Sequence, residues 1–228
     1  VKALAASKSA RYELVIGCRT VSKGEEAIAS IKEQIPETTS TFSTVQADLS
    51  SDQSLEAAVQ TLADRFGRVD VLINNGGASY DPLVDQGKMS LRDALNASWD
   101  TNVSGTHVLT TLAIPLLLKS ADPRLLFITS GTSSMRETER FNNPTHVRLN
   151  SSPAKGWPKP TAKLSITSYR SAKTGLNMLM REWHRILLND GVKVWAISPG
   201  FLATGLGGSG SEALQKVGVI SFHCVSCR

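Results

Sequence analysis

Cysteine is scarce in this chain: there are three, Cys18, Cys224 and Cys227, among 228 residues. That excludes the dense disulfide framework of small secreted domains. Cys18 ends an apolar run and reads as a buried thiol. Cys224 and Cys227 form a C-x-x-C near the last residue, with His223 as a third candidate ligand. A structural zinc site needs four ligands, and haem attachment needs a His after the second Cys, so no metal is expected. Long apolar runs are also lacking. The strongest, Val108 to Leu118, is too short to span a bilayer and contains Pro115. With no secretory signal, a cytoplasmic chain without membrane contact is expected. Runs of one charge are lacking as well. The 25 Lys and Arg are scattered among 20 acids, leaving a net charge of +5 without a basic tail. This is the pattern of a solvated surface and not of a nucleic-acid partner. There is no initiating Met, and Val1 to Ala5 already reads as the middle of a helix, so a lost start is expected.

The composition that remains is ordinary for a globular domain, with 41% hydrophobic and 20% charged residues. The length suits one domain with a sizeable core. Strand and helix signals alternate. Leu14 to Gly17, Thr44 to Ala47, Asp70 to Asn74, Leu125 to Ile128 and Val192 to Ile197 are short apolar strands. Between them lie helical patterns. Ser22-Lys23-Gly24-Glu25 is a candidate capping box, followed by Ile28, Ile31 and Ile35 before Pro36. Leu55, Val59, Leu62 and Phe66 share a helical face closed by Gly67. Long helices are expected from Leu91 to Lys119 and from Ser168 to Leu188. This alternation predicts an α/β fold with a doubly wound, Rossmann-like parallel sheet in a single domain. One segment breaks the rhythm. Arg136 to Ile166 is polar and carries Pro144, Pro153, Pro158 and Pro160, as a functional lid or a disordered insert would. Phe141 and Trp157 within it are candidates for lining a pocket.

Chemistry gathers at strand ends. Tyr169 and Lys173 are four residues apart, on one side of a helix. A nearby cation favours the phenolate, so Lys173 is expected to lower the Tyr169 pKa and fit it for acid–base work. Spacing alone is a weak signal. However, Asn74-Asn75-Gly76-Gly77, Thr129-Ser130 and Ser198-Pro199-Gly200 each follow a strand, where open α/β sheets bind ligands.

In this combination and order, the sequence from about Leu14 to about Gly210 closely resembles the short-chain dehydrogenase/reductase family, and most strongly its fungal carbonyl reductases. The resemblance implies that Ser130 bonds the substrate carbonyl, Tyr169 donates the proton, Lys173 binds the nicotinamide ribose, and Asn102 helps hold a relay water. It implies cofactor contacts from Asp48, Asn75, Gly76, Pro199, Gly200, Leu202 and Thr204, together with Tyr169 and Lys173. Arg19 stands where an acid would select NAD, so NADP(H) is expected. The implied substrate is a small ketone, aldehyde or alcohol, and the implied assembly a homodimer or homotetramer.

The chain also departs from that pattern. The glycine-rich phosphate loop and the strand before it have no counterpart. The first central strand is therefore expected to be missing, and residues 1–217 form an incomplete domain with its insert at 136–166. The glycines at Gly205, Gly207 and Gly210 follow the Pro-Gly loop, the wrong context for a dinucleotide fingerprint. Residues 218–228 read as a divergent tail. An empty central slot would leave buried backbone groups unpaired, so the chain by itself is expected to be unstable or inactive. Two alternatives follow: an inactive remnant without a pyrophosphate site and, less favoured, a sugar-nucleotide epimerase or dehydratase, for which the C-terminal region is short.

Overall fold

The computed structural model describes residues 1–159, 166–200, 206 and 223–225. After a short helix α1 (Lys2–Ala5), β1 (Glu13–Cys18) pairs in parallel with β2 (Thr41–Gln46), Leu14 standing opposite Phe42. The crossover between them is α2 (Val21–Gln34), whose Ile31 packs with Ala5, Ile35 and Phe42. The capping box expected at Ser22 does not form. Thr20, with extended backbone, is the N-cap, and it makes no side-chain bond. The helix starts two residues early, so Ser22 is already helical and cannot cap the free amide at the third position.

The next crossover helix has clearer punctuation. Ser51 accepts a hydrogen bond from the Ser54 amide at 3.3 Å and starts α3 (Asp52–Phe66). Gly67 ends it at φ +69°, a conformation that costs glycine nothing. A second sheet follows in the order β3 (Val71–Asn74), β4 (Arg124–Ile128), β5 (Lys193–Ser198) and β6 (His223–Val225). Its first three strands are parallel and β6 is antiparallel to β5.

No strand joins β1 to β3 among the described residues, so both are sheet edges, on either side of the position where a central strand was expected. On β3, Val71 and Ile73 are each 43% exposed. The two sheets are instead joined through helices. A short helix α4 (Asp81–Asp85) precedes α5 (Leu91–Trp99), a π-helical turn (Asp100–Ser104) and α6 (Gly105–Leu117). The last three run on from one another where the sequence predicts a single long helix. Val59 of α3 clusters with Ala113 and Leu116 of α6. At the start of α6, Gly105 lies directly against the backbone of Leu49, which follows β2.

The main core lies around α8 (Thr167–Leu187). Ala172, Leu176, Met180, Trp183 and Leu187 recur at helical spacing and are buried. They meet Leu125 and Phe127 of β4 and Val194 and Ala196 of β5, which alternate inward as strand side chains must. The Pro-rich insert contains a short helix. Asn143 caps α7 (Pro144–Asn150), bonding the His146 amide at 2.9 Å. Phe141 and Trp157 are 56% and 88% exposed. No helix among the described residues is long and apolar enough to cross a membrane.

Gly105 gives a test of how the halves are joined. A methyl group there would lie 1.8 Å from the Leu49 carbonyl oxygen, an overlap with backbone that no rotamer relieves. Gly105→Ala is expected to lower the unfolding free energy by about 3 kcal/mol, measured by urea denaturation. A loss near zero would show that the two halves are not in contact here.

Candidate active site

The parallel strands all end on one edge, and the polar residues collect there. Ser130 follows β4, Asn75 and Gly76 follow β3, and Pro199 and Gly200 follow β5. Gly200 has φ +82°, a conformation that glycine adopts without strain. Leu202 and Thr204 lie outside the described residues, as do Gly205, Gly207, Gly210 and Cys227.

Helix α8 brings the reactive pair to this edge. The Tyr169 side chain lies near that of Ser130, whose hydroxyl contacts Thr132 Oγ1 at 2.9 Å. One turn on, the Lys173 ammonium donates to the Ile128 carbonyl at 2.9 Å and lies 5.8 Å from the centre of the Tyr169 ring. Lys173 is 3% exposed. Burial pulls its pKa down to about 8, because the charged form loses its water. The expected depression of Tyr169 is not found. Burial pushes its phenol up, and the nearby Ser130 hydroxyl offsets that only in part. Lys173 is over the ring face and itself destabilised as a cation, so desolvation wins.

The same helix holds the Ser130 loop. Arg170, Thr174 and Asn177 stand at i, i+4 and i+7, one face of α8. Arg170 Nε donates to the Thr132 carbonyl at 2.8 Å, and the Thr174 hydroxyl donates to the Ser133 carbonyl at 2.9 Å. Asn177 Nδ2 donates to the Ser133 hydroxyl at 3.0 Å, and that hydroxyl donates to the Ser130 carbonyl at 2.6 Å. Arg170 reaches further, to the Leu149 carbonyl and Asn150 Oδ1 of α7. The insert is thus tied to the residue after Tyr169, a connection that the sequence does not announce.

Asn102 sits in the π-helical turn and is fully buried. Its Oδ1 accepts from the Ala78 amide at 3.2 Å, while Nδ2 donates to the Ala78 and Ser98 carbonyls at 2.9 and 2.8 Å. The side chain therefore grips the loop after β3. Gly77 in that loop is a residue whose role sequence reading passed over. A methyl group on it would lie 2.6 Å from Asn102 Oδ1 and 3.2 Å from Lys173 Nζ. Only glycine lets the loop pass between these two polar groups. Gly76 faces Leu49: a methyl there would meet the Leu49 side chain at 2.7 Å.

Arg19 and Asp48 stand apart from this cluster, at the carboxyl ends of β1 and β2. Asp48 Oδ1 accepts from the Ser50 hydroxyl at 2.7 Å and the Ser50 amide at 3.0 Å. These bonds, with a smaller contribution from the Arg19 charge, hold its pKa below the usual carboxylate range. Arg19 is exposed and faces the same edge as Asp48.

Lys173 sets a pH dependence of stability. An unfolded lysine titrates at 10.5 and the folded one at about 8. Between these values the unfolded chain binds more protons, so this group makes stability rise with pH. At pH 7 both states are charged and burial costs about 3 kcal/mol. Lys173→Met also loses the Ile128 hydrogen bond, of about 1 kcal/mol. The variant is expected to be about 2 kcal/mol more stable than wild type at pH 7, with the gap closing towards pH 10. Urea denaturation at both pH values checks this; a gap that widens with pH would contradict the assigned burial.

Comparison with known proteins agrees with this architecture. Residues 6–141 match the family model described as short chain dehydrogenase. The short-chain dehydrogenase/reductase eupG of Phoma sp. is 45% identical over 208 residues, which cover 90% of this chain and 73% of that protein. The short-chain dehydrogenase/reductase tropE of Talaromyces stipitatus is 42% identical over 198 residues, 87% of this chain and 71% of that one. Among solved structures, the NADPH-bound carbonyl reductase from chicken fatty liver superimposes with a TM-score of 0.69 at 21% identity, covering 91% of this chain and 76% of that one. The fold, the strand-end site and the similarity over most of its length place this chain in the short-chain dehydrogenase/reductase family of oxidoreductases.

Proposed function

We propose that the chain interconverts a small ketone or aldehyde and its alcohol with NADP(H), with Tyr169 as the proton donor in reduction. The observation that carries this reading is the placement of Tyr169 beside Ser130 at the carboxyl edge of the sheet, with Lys173 buried against the ring. Ser130 presents a hydroxyl to a carbonyl oxygen and polarises it. Burial keeps Tyr169 protonated at neutral pH, so it has a proton to give when negative charge develops on that oxygen. As Tyr169 gives up its proton, the Lys173 ammonium close to the ring stabilises the phenolate. With a pKa of about 8, Lys173 is also poised to return a proton. Asn102 fixes the Gly76–Ala78 loop against Lys173 and beside the expected position of a relay water.

The residues fit a nicotinamide cofactor, which when bound supplies the hydride. Gly77, with no side chain, lets the loop backbone pass close beside Asn102 and Lys173. Asn75, Gly76, Pro199 and Gly200 lie on the same edge, and Tyr169 and Lys173 present hydroxyl and ammonium groups suited to a ribose. Asp48, held by Ser50, keeps a carboxylate at the end of β2 for the adenine side. One fold relative holds NADPH and another, a 3-oxoacyl-[acyl-carrier protein] reductase from Brucella melitensis, holds NAD. The exposed Arg19 guanidinium favours the 2′-phosphate of NADP(H). The second reading, a remnant without activity, draws support from the unpaired edges of β1 and β3.

Assembly into a homodimer or homotetramer is part of the same proposal. Leu91, Leu95 and Trp99 form an exposed stripe along α5, 73%, 43% and 49% accessible, and Trp99 packs against Gly175 of α8. A contiguous apolar stripe of this kind marks a contact surface. Leu95→Asp is expected to shift the sedimentation coefficient to that of a monomer; a wild type already monomeric at micromolar concentration would remove this part of the reading.

NADPH fluorescence and NADPH oxidation with a panel of aromatic and aliphatic carbonyls test the activity. Tyr169→Phe is expected to lower kcat at least about 100-fold while NADPH affinity stays within about threefold. Arg19→Ala is expected to weaken NADPH binding about tenfold and leave NADH binding unchanged. Absence of NADPH binding by the wild-type chain would favour the inactive remnant.

A further inference from the structure

The first turn of α8 has no cap of its own. Its N-cap residue, Ile166, offers no side-chain acceptor, yet the free amides at the start of a buried helix need partners. They find one far away in sequence. Asp81, the first residue of α4, is 4% exposed. Its Oδ1 accepts from the Ser168 amide at 2.9 Å. Its Oδ2 accepts from the Tyr169 amide at 3.0 Å and from the Ser168 hydroxyl at 2.7 Å. Ser79 donates a longer bond of 3.4 Å to the same oxygen. A carboxylate is the strongest acceptor available to such amides, and its charge complements the positive end of the helix.

The bonds continue beyond the cap. Ser98 of α5 donates its hydroxyl to Ser168 at 2.9 Å, and the Ser98 carbonyl accepts from Asn102 at 2.8 Å. One buried chain therefore runs from Asn102 through Ser98 and Ser168 to Asp81, and from Asp81 to the amide of Tyr169. We infer that Asp81 is a positioning residue, which holds the first turn of α8 so that the Tyr169 hydroxyl meets Ser130. Tyr169 is in that first turn, whereas Lys173 lies one turn further on and is anchored separately by Ile128. Loosening the cap displaces the proton donor before it displaces the ammonium or the loops assigned to the cofactor. Misplacement of a reacting group by about 1 Å costs on the order of 100-fold in rate.

This inference rests on the reductase reading, and the test separates the two. In Asp81→Ala, kcat for carbonyl reduction is expected to fall about 100-fold, with KM and NADPH affinity within about threefold of wild type. Asp81→Asn guards against misfolding of the alanine variant. Its oxygen still accepts from Ser168, but its amide nitrogen cannot accept from Tyr169, so an intermediate loss of kcat of about tenfold is expected in a folded protein. A structural defect alone would change stability and cofactor affinity together without this split. Amide hydrogen exchange gives a readout that needs no substrate. Ser168 and Tyr169 are expected to exchange at least about tenfold faster in both variants, while Ala172 to Leu187 stay protected. Full kcat in Asp81→Asn, or unchanged exchange at Tyr169 in both variants, would overturn the positioning role. If wild type reduces no carbonyl in the panel, the reductase reading fails and the exchange result alone decides the role of Asp81.

Discussion

An ammonium group held away from water is the constraint around which this molecule is arranged. Lys173 comes from the helix that also supplies the main core, so its charge is buried with the apolar side chains that hold the sheet. Such burial is unfavourable unless polar partners are fixed in advance. The Ile128 carbonyl is one such partner, and Gly77 brings backbone close because it has no side chain. The strand ends, the π-helical turn and the first turn of α8 are all placed by the need to surround this group without filling the space in front of it.

The site combines opposing tendencies. Burial raises the acidity of Lys173 and lowers that of Tyr169, moving an ammonium and a phenol of nearly equal ordinary proton affinity apart. The cost falls on stability, and the core contributed by Leu176, Met180, Trp183 and Leu187 on the same helix offsets it.

Much of this was legible in the sequence for a simple reason. Strands and crossover helices are written in local periodicity, and Ser130, Tyr169 and Lys173 sit at the ends or on the faces of such elements. The Asp81 cap was not legible, because an Asp-Pro pair starting a short helix gives no hint of a partner 87 residues away. The short helix in the Pro-rich insert did leave a signal, Asn143 followed by Pro144, an N-cap and first-turn pair masked by the surrounding prolines. The capping box at Ser22 misled for the opposite reason: its local pattern was sound, but the helix began before it. The pKa of Tyr169 was misjudged because spacing reports which groups are near each other and says nothing about how much water they have lost.

The π-helical turn at Asp100–Ser104 does more than seat Asn102. Each residue of an α-helix advances the direction of its side chain by about 100°, and a wider turn absorbs one extra residue into that count. The turn therefore sets the phase between α5, which faces α8, and α6, which faces α3. Substitutions here change only local contacts. Loss or gain of one residue would rotate one packing face against the other, and Asn102 with it. Sequence length across this helix is thus a constraint of the architecture in its own right, and the two halves of the molecule hold their relative orientation by counting residues as much as by the contacts between them.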